Sequence, residues 1–169
     1  MFFRALDNKL SIREFDAFFE PIVVDAQAEI SRNITLVQII VGKDINQQDL
    51  ADFFGTVQSF VFSGDICHKL AGLSSSDGTR QYISEQVLYK PVCFTVFRRT
   101  MEHEYMHNIS RWKYPNDYRR ISPSKNAKLK SIGTDDVMIE AGNYYEQWAY
   151  NKYVEYPSPF CLNLFRDQE

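Results

Sequence analysis

The residues His103-Glu104-Tyr105-Met106-His107 carry the strongest pattern in this chain of 169 residues, and they include two of its three histidines. On an α-helix, residues four apart lie on one face, so both imidazoles can reach a single ion. Glu104 projects at a neighbouring angle, where its carboxylate can face a water molecule beside that ion. The spacing therefore predicts a helical zinc site with His103 and His107 as ligands and Glu104 as general base.

The residues around this motif predict one continuous helix that begins near Pro91. Positions spaced by three or four residues form a single stripe: Val92, Val96, Thr100, His103 and His107. The charged side chains fall on the other side: Arg98, Arg99 and Glu102. The pattern predicts that the histidines face the interior and that the charged residues face solvent. A plainer alternative is that two core histidines only form hydrogen bonds and hold no metal.

The HExxH motif resembles that of the zincin metallopeptidases, a superfamily named for this helix. The resemblance covers this helix and, more weakly, one helix downstream. It implies a peptidase in which both histidines bind Zn2+, Glu104 activates water, and a third ligand follows downstream. The metzincin subgroup would require Gly and His where this chain has Ser110 and Lys113. Because the third histidine, His68, lies upstream, the third ligand is expected to be a carboxylate.

Glu140 is the preferred candidate for this third metal ligand. Thr134 suits a helix cap, and the residues after it predict a helix over about 135–153. One mostly apolar face of that helix carries Asp136, Glu140, Tyr144 and Trp148. A carboxylate on such a face needs a cation as its partner. Gly142 removes a side chain nearby and would let the histidine helix approach closely.

The resemblance within this downstream segment is to the gluzincins, in which a helical Glu is the third ligand. Gluzincins often carry Asp four residues after that Glu, where this chain has Tyr144, which we retain as a candidate catalytic residue. Asp136, one turn before Glu140, could replace the missing carboxylate. In the aspzincins, which resemble deuterolysins, an Asp in a G-T-x-D-x-x-Y-G pattern is the ligand. Residues 133–136 match its first half, so Asp136 is the alternative ligand.

A strongly basic segment separates the two helices. Residues 111–130 contain seven basic residues and one acidic residue, a net charge of +6 in a chain whose total is −3. The plainest interpretation is a solvated loop. A second is a mobile flap that receives an acidic peptide, with Tyr114 or Tyr118 contacting the oxyanion. The acidity of the remaining chain argues against nucleic acid as the main partner.

The amino-terminal half is expected to supply the scaffold. A helix is predicted over about 12–30, preceded by a capping box at Ser11–Glu14, and another over about 46–62. The β-branched run Ile34–Val41 predicts a buried strand. Residues 83–89 predict a further strand, which could be the sheet edge beside the active-site cleft.

The expected architecture is one compact α+β domain over residues 1–169, rich in helix, with a small sheet beside the HExxH helix. No run of about twenty apolar residues predicts a membrane span, and no leader peptide is visible, which favours an intracellular location. The predicted function is that of a zinc metallopeptidase acting on a protein or peptide substrate. The alternative is a non-catalytic interaction protein with a structural or idle zinc site. A cleft open to the metal would favour the enzyme.

Overall fold

A computed structural model describes residues 11–15, 17–63, 72–85, 94–117, 120 and 141–150. In chain order the elements are β1 (Ser11–Glu14), α1 (Glu20–Arg32), α2 (Ile34–Ile40), α3 (Gln47–Thr56), β2 (Gln58–Ser63), β3 (Gly72–Ser74), β4 (Arg80–Ser84), α4 (Phe94–Lys113) and α5 (Ala141–Ala149). Helices dominate, and the strands form one small sheet. The predicted α+β class is confirmed.

The sheet is mixed, with the strand order β1-β2-β4-β3. β2 runs parallel to β4, whereas β1 and β3 are antiparallel to their neighbours. The prediction that residues 83–89 form the sheet edge is wrong for the part that the structure describes. Ile83 pairs with Val61 on one side and with Gly72 on the other, so β4 is an inner strand. Within the described residues, β3 is the edge strand on this side of the sheet.

The start of the chain differs from the predicted helix. Residues Ser11–Glu14 pair with β2 as strand β1, so the capping-box prediction is wrong. A capping box is a short local pattern, and pairing with β2 satisfies the same backbone groups over a longer stretch. Helix α1 begins only at Glu20, where Pro21 in the first turn and the acidic Glu20 suit a helix start.

Two further predictions in this half fail at particular residues. Ile34–Ile40 forms helix α2 instead of a strand, with Val37 and Ile40 fully buried three residues apart. A short apolar run has no periodicity that separates a buried strand from a buried helix. The predicted helix over 46–62 starts correctly, since Asn46 and Asp49 form a capping box, but it ends at Thr56 before β2.

Helix α4 is the central element of the core. Its buried apolar side chains are Phe97, Met101, Tyr105, Met106 and Ile109. α4 packs against α1 and α5 and also against strands β3 and β4. Burial of each large apolar side chain contributes roughly 1.5–3 kcal/mol, which fixes α4 in rotation about its axis. One face of α4 consequently meets α5, and a neighbouring face meets β3. Within the described residues, no helix combines the length and apolar character that crossing a lipid bilayer requires.

Candidate metal centre

The continuous helix α4 places the two histidines of the motif side by side. The ring centres of His103 and His107 lie 5.3 Å apart, with an angle of 60° between the ring planes. Two imidazoles that share a tetrahedral zinc at bond lengths of about 2.0–2.1 Å have ring centres about 5 Å apart. The His103 side chain is 17% exposed and His107 is 4% exposed, so the pair lies at the edge of the core. The spacing fits a shared ion that can be reached from one side.

Helix α5 contacts His103 through a glycine. A Cβ atom at position 142 would lie 2.5 Å from both Cγ and Nε2 of His103, closer than real Cβ atoms approach other atoms. The similar distances to atoms around the ring mean that Gly142 lies against the face of the imidazole. The in-plane lone pair of the ring therefore remains directed away from Gly142. The predicted close approach at Gly142 is confirmed.

Glu146 contacts the same histidine one helical turn further along α5. Its Oε2 atom lies 3.4 Å from Nδ1 of His103. A carboxylate in this position favours a proton on Nδ1, and a histidine in that tautomer binds a metal through Nε2. Asp136 was the residue predicted from the sequence for this supporting position, and Glu146 was missed. The available signal was its spacing of four residues from Gly142, which places both on one helical face.

Both candidates for a third ligand lie outside the described residues. Within the described ranges, no group of three or more His, Cys, Asp or Glu residues is arranged to hold a metal. Glu140 and Asp136 both fall in the undescribed range 121–140, so the choice between them stays a prediction. In sequence, Glu140 precedes Gly142 by two residues. The two imidazoles, with a carboxylate supporting one of them, are the donor chemistry that zinc prefers, and they require one more ligand.

Tyr144, the other candidate catalytic residue, lies in the core portion of α5. The residue is 3% exposed, and its ring centre lies 5.8 Å from that of Trp148. Burial raises the pKa of the Tyr144 phenol, so the hydroxyl keeps its proton at neutral pH. A protonated phenol can donate a hydrogen bond, and the catalytic role of Tyr144 stays a prediction.

The proposed general base, Glu104, projects from α4 toward the edge strand β3. Its carboxylate accepts a hydrogen bond of 2.6 Å from the Ser74 hydroxyl. A Cβ atom at Gly72 would lie 2.8 Å from Cγ of Glu104 and 3.0 Å from its Oε1. Gly72 and Ser74 were not predicted from the sequence, because the glycines and serines of this stretch are typical of a loop. β3 therefore holds the Glu104 side chain from one side.

Glu102 corrects the expectation that the charged residues of α4 face solvent. It is fully buried, and both of its carboxylate oxygens lie 2.7 Å from the Tyr150 hydroxyl. Removal from water raises the pKa of Glu102 to about 7, against the opposing effect of the Tyr150 hydrogen bond. The reason for the error is that α5 and its last residues cover this side of α4. Glu102 thereby ties α4 to the end of α5 that carries Glu146.

The basic segment is not a solvated loop at the two arginines that the structure describes. Arg111 is 6% exposed and donates hydrogen bonds to the carbonyl oxygens of Ser74 and Ser75. Arg120 is 2% exposed and donates to the carbonyl oxygen of Val41. Both guanidinium groups therefore connect backbone segments through hydrogen bonds and are not exposed for contact with an acidic substrate.

The structure describes one of the two tyrosines of this segment that were proposed to contact the oxyanion. Tyr114 packs against Gly42, and the Arg120 guanidinium lies 4.0 Å from the centre of its ring. Tyr114 also lies seven residues beyond His107, about 10 Å along the helix axis. The structure therefore gives Tyr114 a packing role. Tyr118 lies outside the described residues.

A cavity of about 290 Å³ lies away from the histidines. It is lined by Glu14, Phe15, Val23, Gln27, Phe54, Val57, Gln58 and Ser59. Gln27 in its wall donates a hydrogen bond to the hydroxyl of Tyr105, which projects from α4 roughly opposite His103. The cavity is thus separated from the candidate metal centre by the helix itself.

Comparison of the chain with models of protein families, with curated proteins and with solved structures found no match. The resemblance to the zincins therefore rests on the sequence, chiefly on the HExxH motif.

Proposed function

We propose that this protein is a zinc-dependent hydrolase of the metallopeptidase type. The observation that carries the proposal is the pair His103 and His107, whose ring centres lie 5.3 Å apart. Two further observations support it. Glu146 lies at Nδ1 of His103, and the Glu104 carboxylate is held against β3. All three contacts involve residues of the one helical turn His103–His107.

The proposed chemistry assigns one role to each residue. His103 and His107 hold the metal, and Glu140 completes the protein ligands. Zinc, when bound, polarises the substrate carbonyl and acidifies a water molecule. Glu104 takes the proton from the attacking water on its carboxylate and passes it to the leaving nitrogen. Glu146 keeps the His103 ring in the required orientation.

A peptide substrate is supported by the position of β3. β3 is the edge strand within the described residues, and an extended peptide can pair with such an edge through backbone hydrogen bonds. The pairing would begin ahead of the Ser74 carbonyl oxygen, which already accepts from Arg111. Gly72 and Ser74 on β3 both contact Glu104. A peptide bound along β3 would therefore pass beside the proposed general base. The exposed fraction of His103, 17% of its side chain, favours this use over a sealed structural zinc site.

The test combines metal content with one substitution. Elemental analysis of the purified protein should find about one zinc per chain, and His103→Ala with His107→Ala should lose it. Glu104→Gln should keep the zinc but lower peptide hydrolysis by about a hundred- to ten-thousandfold, since an amide cannot accept the proton. Zinc binding with no hydrolysis in the parent would support the alternative of a non-catalytic interaction protein. A parent that takes up no zinc would overturn both.

A further inference from the structure

The hydroxyl group of Ser74 faces three oxygen acceptors. It lies 2.6 Å from Oε2 of Glu104, 3.1 Å from the carbonyl oxygen of Glu104 and 3.2 Å from Oδ1 of Asn108. A serine hydroxyl has one proton with which to donate a hydrogen bond, and its oxygen can accept a hydrogen bond at the same time. The three acceptors therefore compete for one donor, and the carboxylate is the nearest.

The orientation of the Asn108 amide is fixed by the turn between β3 and β4. Its Nδ2 atom donates to the carbonyl oxygen of Gly78 at 3.1 Å and to that of Arg80 at 2.8 Å. These two bonds use both amide protons, so the oxygen Oδ1 must be the atom that faces Ser74. Gly78, at φ = 78°, brings the turn directly against α4, where a side chain would meet the backbone of Trp112. Asn108 is thus a permanent acceptor beside Ser74.

We propose that Ser74 is a positioning residue that holds the Glu104 carboxylate in one place against β3. The proposal rests on the proposed function. The Ser74 hydroxyl donates a hydrogen bond to Oε2 of Glu104, which at 2.6 Å is the nearest of its three acceptors. Oδ1 of Asn108, at 3.2 Å, lies on another side of the same hydroxyl.

Two further contacts confine the Glu104 side chain. Gly72 contributes from the same strand, because its missing side chain leaves room for Cγ and Oε1 of Glu104. Arg111 fixes β3 by donating to the carbonyl oxygen of Ser74. The strand that carries the Ser74 hydroxyl is therefore itself held in place beside Glu104.

In the first part of the test, a library of quenched fluorescent peptides identifies the peptide that is cleaved fastest. The kcat and KM of three serine variants are then measured with that peptide. Ser74→Ala should lower kcat by about ten- to a hundredfold and leave KM within about twofold, because the base is misplaced but the cleft is intact. Ser74→Thr keeps the hydroxyl and should restore most of the loss. Ser75→Ala is the matched control, since its hydroxyl contacts Asp77 and the backbone of Arg80 instead of Glu104. Zinc content should be unchanged in all three.

The second part asks whether Ser74 acts through Glu104. If it does, adding Ser74→Ala to Glu104→Gln should leave the residual kcat unchanged, because the group that Ser74 positions is already lost. A further loss of the same ten- to hundredfold in that background would overturn the proposal and assign Ser74 to the stability of β3. A crystal structure of metal-free Ser74→Ala should show more than one conformer of the Glu104 side chain. A single unchanged conformer would also count against the proposal.

The two proposals can fail separately. An active zinc-loaded parent together with a Ser74→Ala variant of parental kcat overturns the role of Ser74 alone. A parent that binds no zinc and cleaves no peptide of the library overturns the proposed function and the role of Ser74 with it.

Discussion

Oε2 of Glu146 lies 3.4 Å from Nδ1 of His103, and this contact joins the two helices that carry the candidate site. The contact occurs one turn after Gly142, which lies against the same imidazole. α5 therefore does two things to His103: it packs on the ring face and it occupies one ring nitrogen. Histidines that bind a metal through Nε2 often have a carboxylate on Nδ1 in this way.

Removal of the Glu146 carboxylate should weaken zinc binding. Glu146→Ala is expected to lower zinc affinity by about ten- to a hundredfold, the usual effect of losing a group that orients a metal ligand. Glu146→Gln should lose less, because its amide oxygen can still accept from Nδ1. Competition with a chromophoric chelator measures both affinities. Asp25→Ala, an exposed carboxylate on α1, is the control and should bind zinc as the parent does. Equal affinity in Glu146→Ala would remove Glu146 from the site.

The identity of the third ligand can be decided by two substitutions in the preceding segment. Glu140→Ala should strip the zinc, because a three-ligand site loses one of its direct bonds. Asp136→Ala should weaken binding by a smaller factor, at most about ten- to a hundredfold. Elemental analysis after gel filtration gives the zinc content of each variant. The reverse result, with zinc lost from Asp136→Ala and kept by Glu140→Ala, would make the site aspzincin-like.

Gly142 should tolerate no side chain. Gly142→Ala places a Cβ atom against the His103 ring, and the required shift should cost about 1–3 kcal/mol of unfolding free energy. The same change should weaken zinc binding, because His103 must move. Gly55→Ala in α3 is the matched control, since nothing lies within 4 Å of its added Cβ atom. Gly55→Ala should leave the unfolding free energy unchanged or raise it by up to about 1 kcal/mol. Urea unfolding of both variants separates the cost of steric overlap at Gly142 from the general effect of replacing a helical glycine with alanine.

The sequence predicted best where a local pattern decides the structure. The spacing of His103 and His107 predicts a helix with one shared face, and the structure has it. Gly142 was predictable because a missing side chain has a direct steric meaning. Glu102 was not, because its burial depends on Tyr150, forty-eight residues away in the chain. No local pattern carries information about such a distant partner.

The strand β3 shows the same limit at the site itself. Gly72 and Ser74 belong to a stretch whose glycines and serines are typical of a loop, yet pairing with β4 makes them a strand. Their contact with Glu104 depends on how the sheet packs against α4. Sheet pairing and helix packing are both long-range, so periodicity along the chain cannot supply them. For this reason the placement of the histidine pair was predictable from the sequence and the groups that hold Glu104 were not.

The buried carboxyl of Glu102 predicts a pH dependence of stability. Its pKa in the folded protein is about 7, above the ordinary value of 4.5, so the folded state binds the proton more tightly than the unfolded state. This contribution is fully present below pH 4.5 and is lost as the pH rises through about 7. The loss amounts to roughly 3 kcal/mol for a shift of this size. Urea unfolding of chelator-treated protein from pH 5 to 8 measures it.

Glu102→Gln is the control for this pH dependence, because the amide does not titrate. The difference in unfolding free energy between parent and variant should change in favour of the variant as the pH rises. A difference that stays constant from pH 5 to 8 would show that Glu102 titrates at its ordinary pKa.

The basic segment divides into a structural part and a part still open to a substrate role. Arg120→Met should destabilise the protein by about 2–4 kcal/mol, because Nη1 donates to the carbonyl oxygen of Val41 and to Oγ of Ser110, and both acceptors would lose their buried donor. In contrast, joint neutralisation of Arg119, Lys125 and Lys128, which lie outside the described residues, should leave stability and zinc content unchanged. That triple change should weaken cleavage of an acidic peptide most strongly at low salt, since screening already removes the attraction at high salt. Equal cleavage by parent and triple variant at every ionic strength would limit the segment to the structural role of its buried arginines.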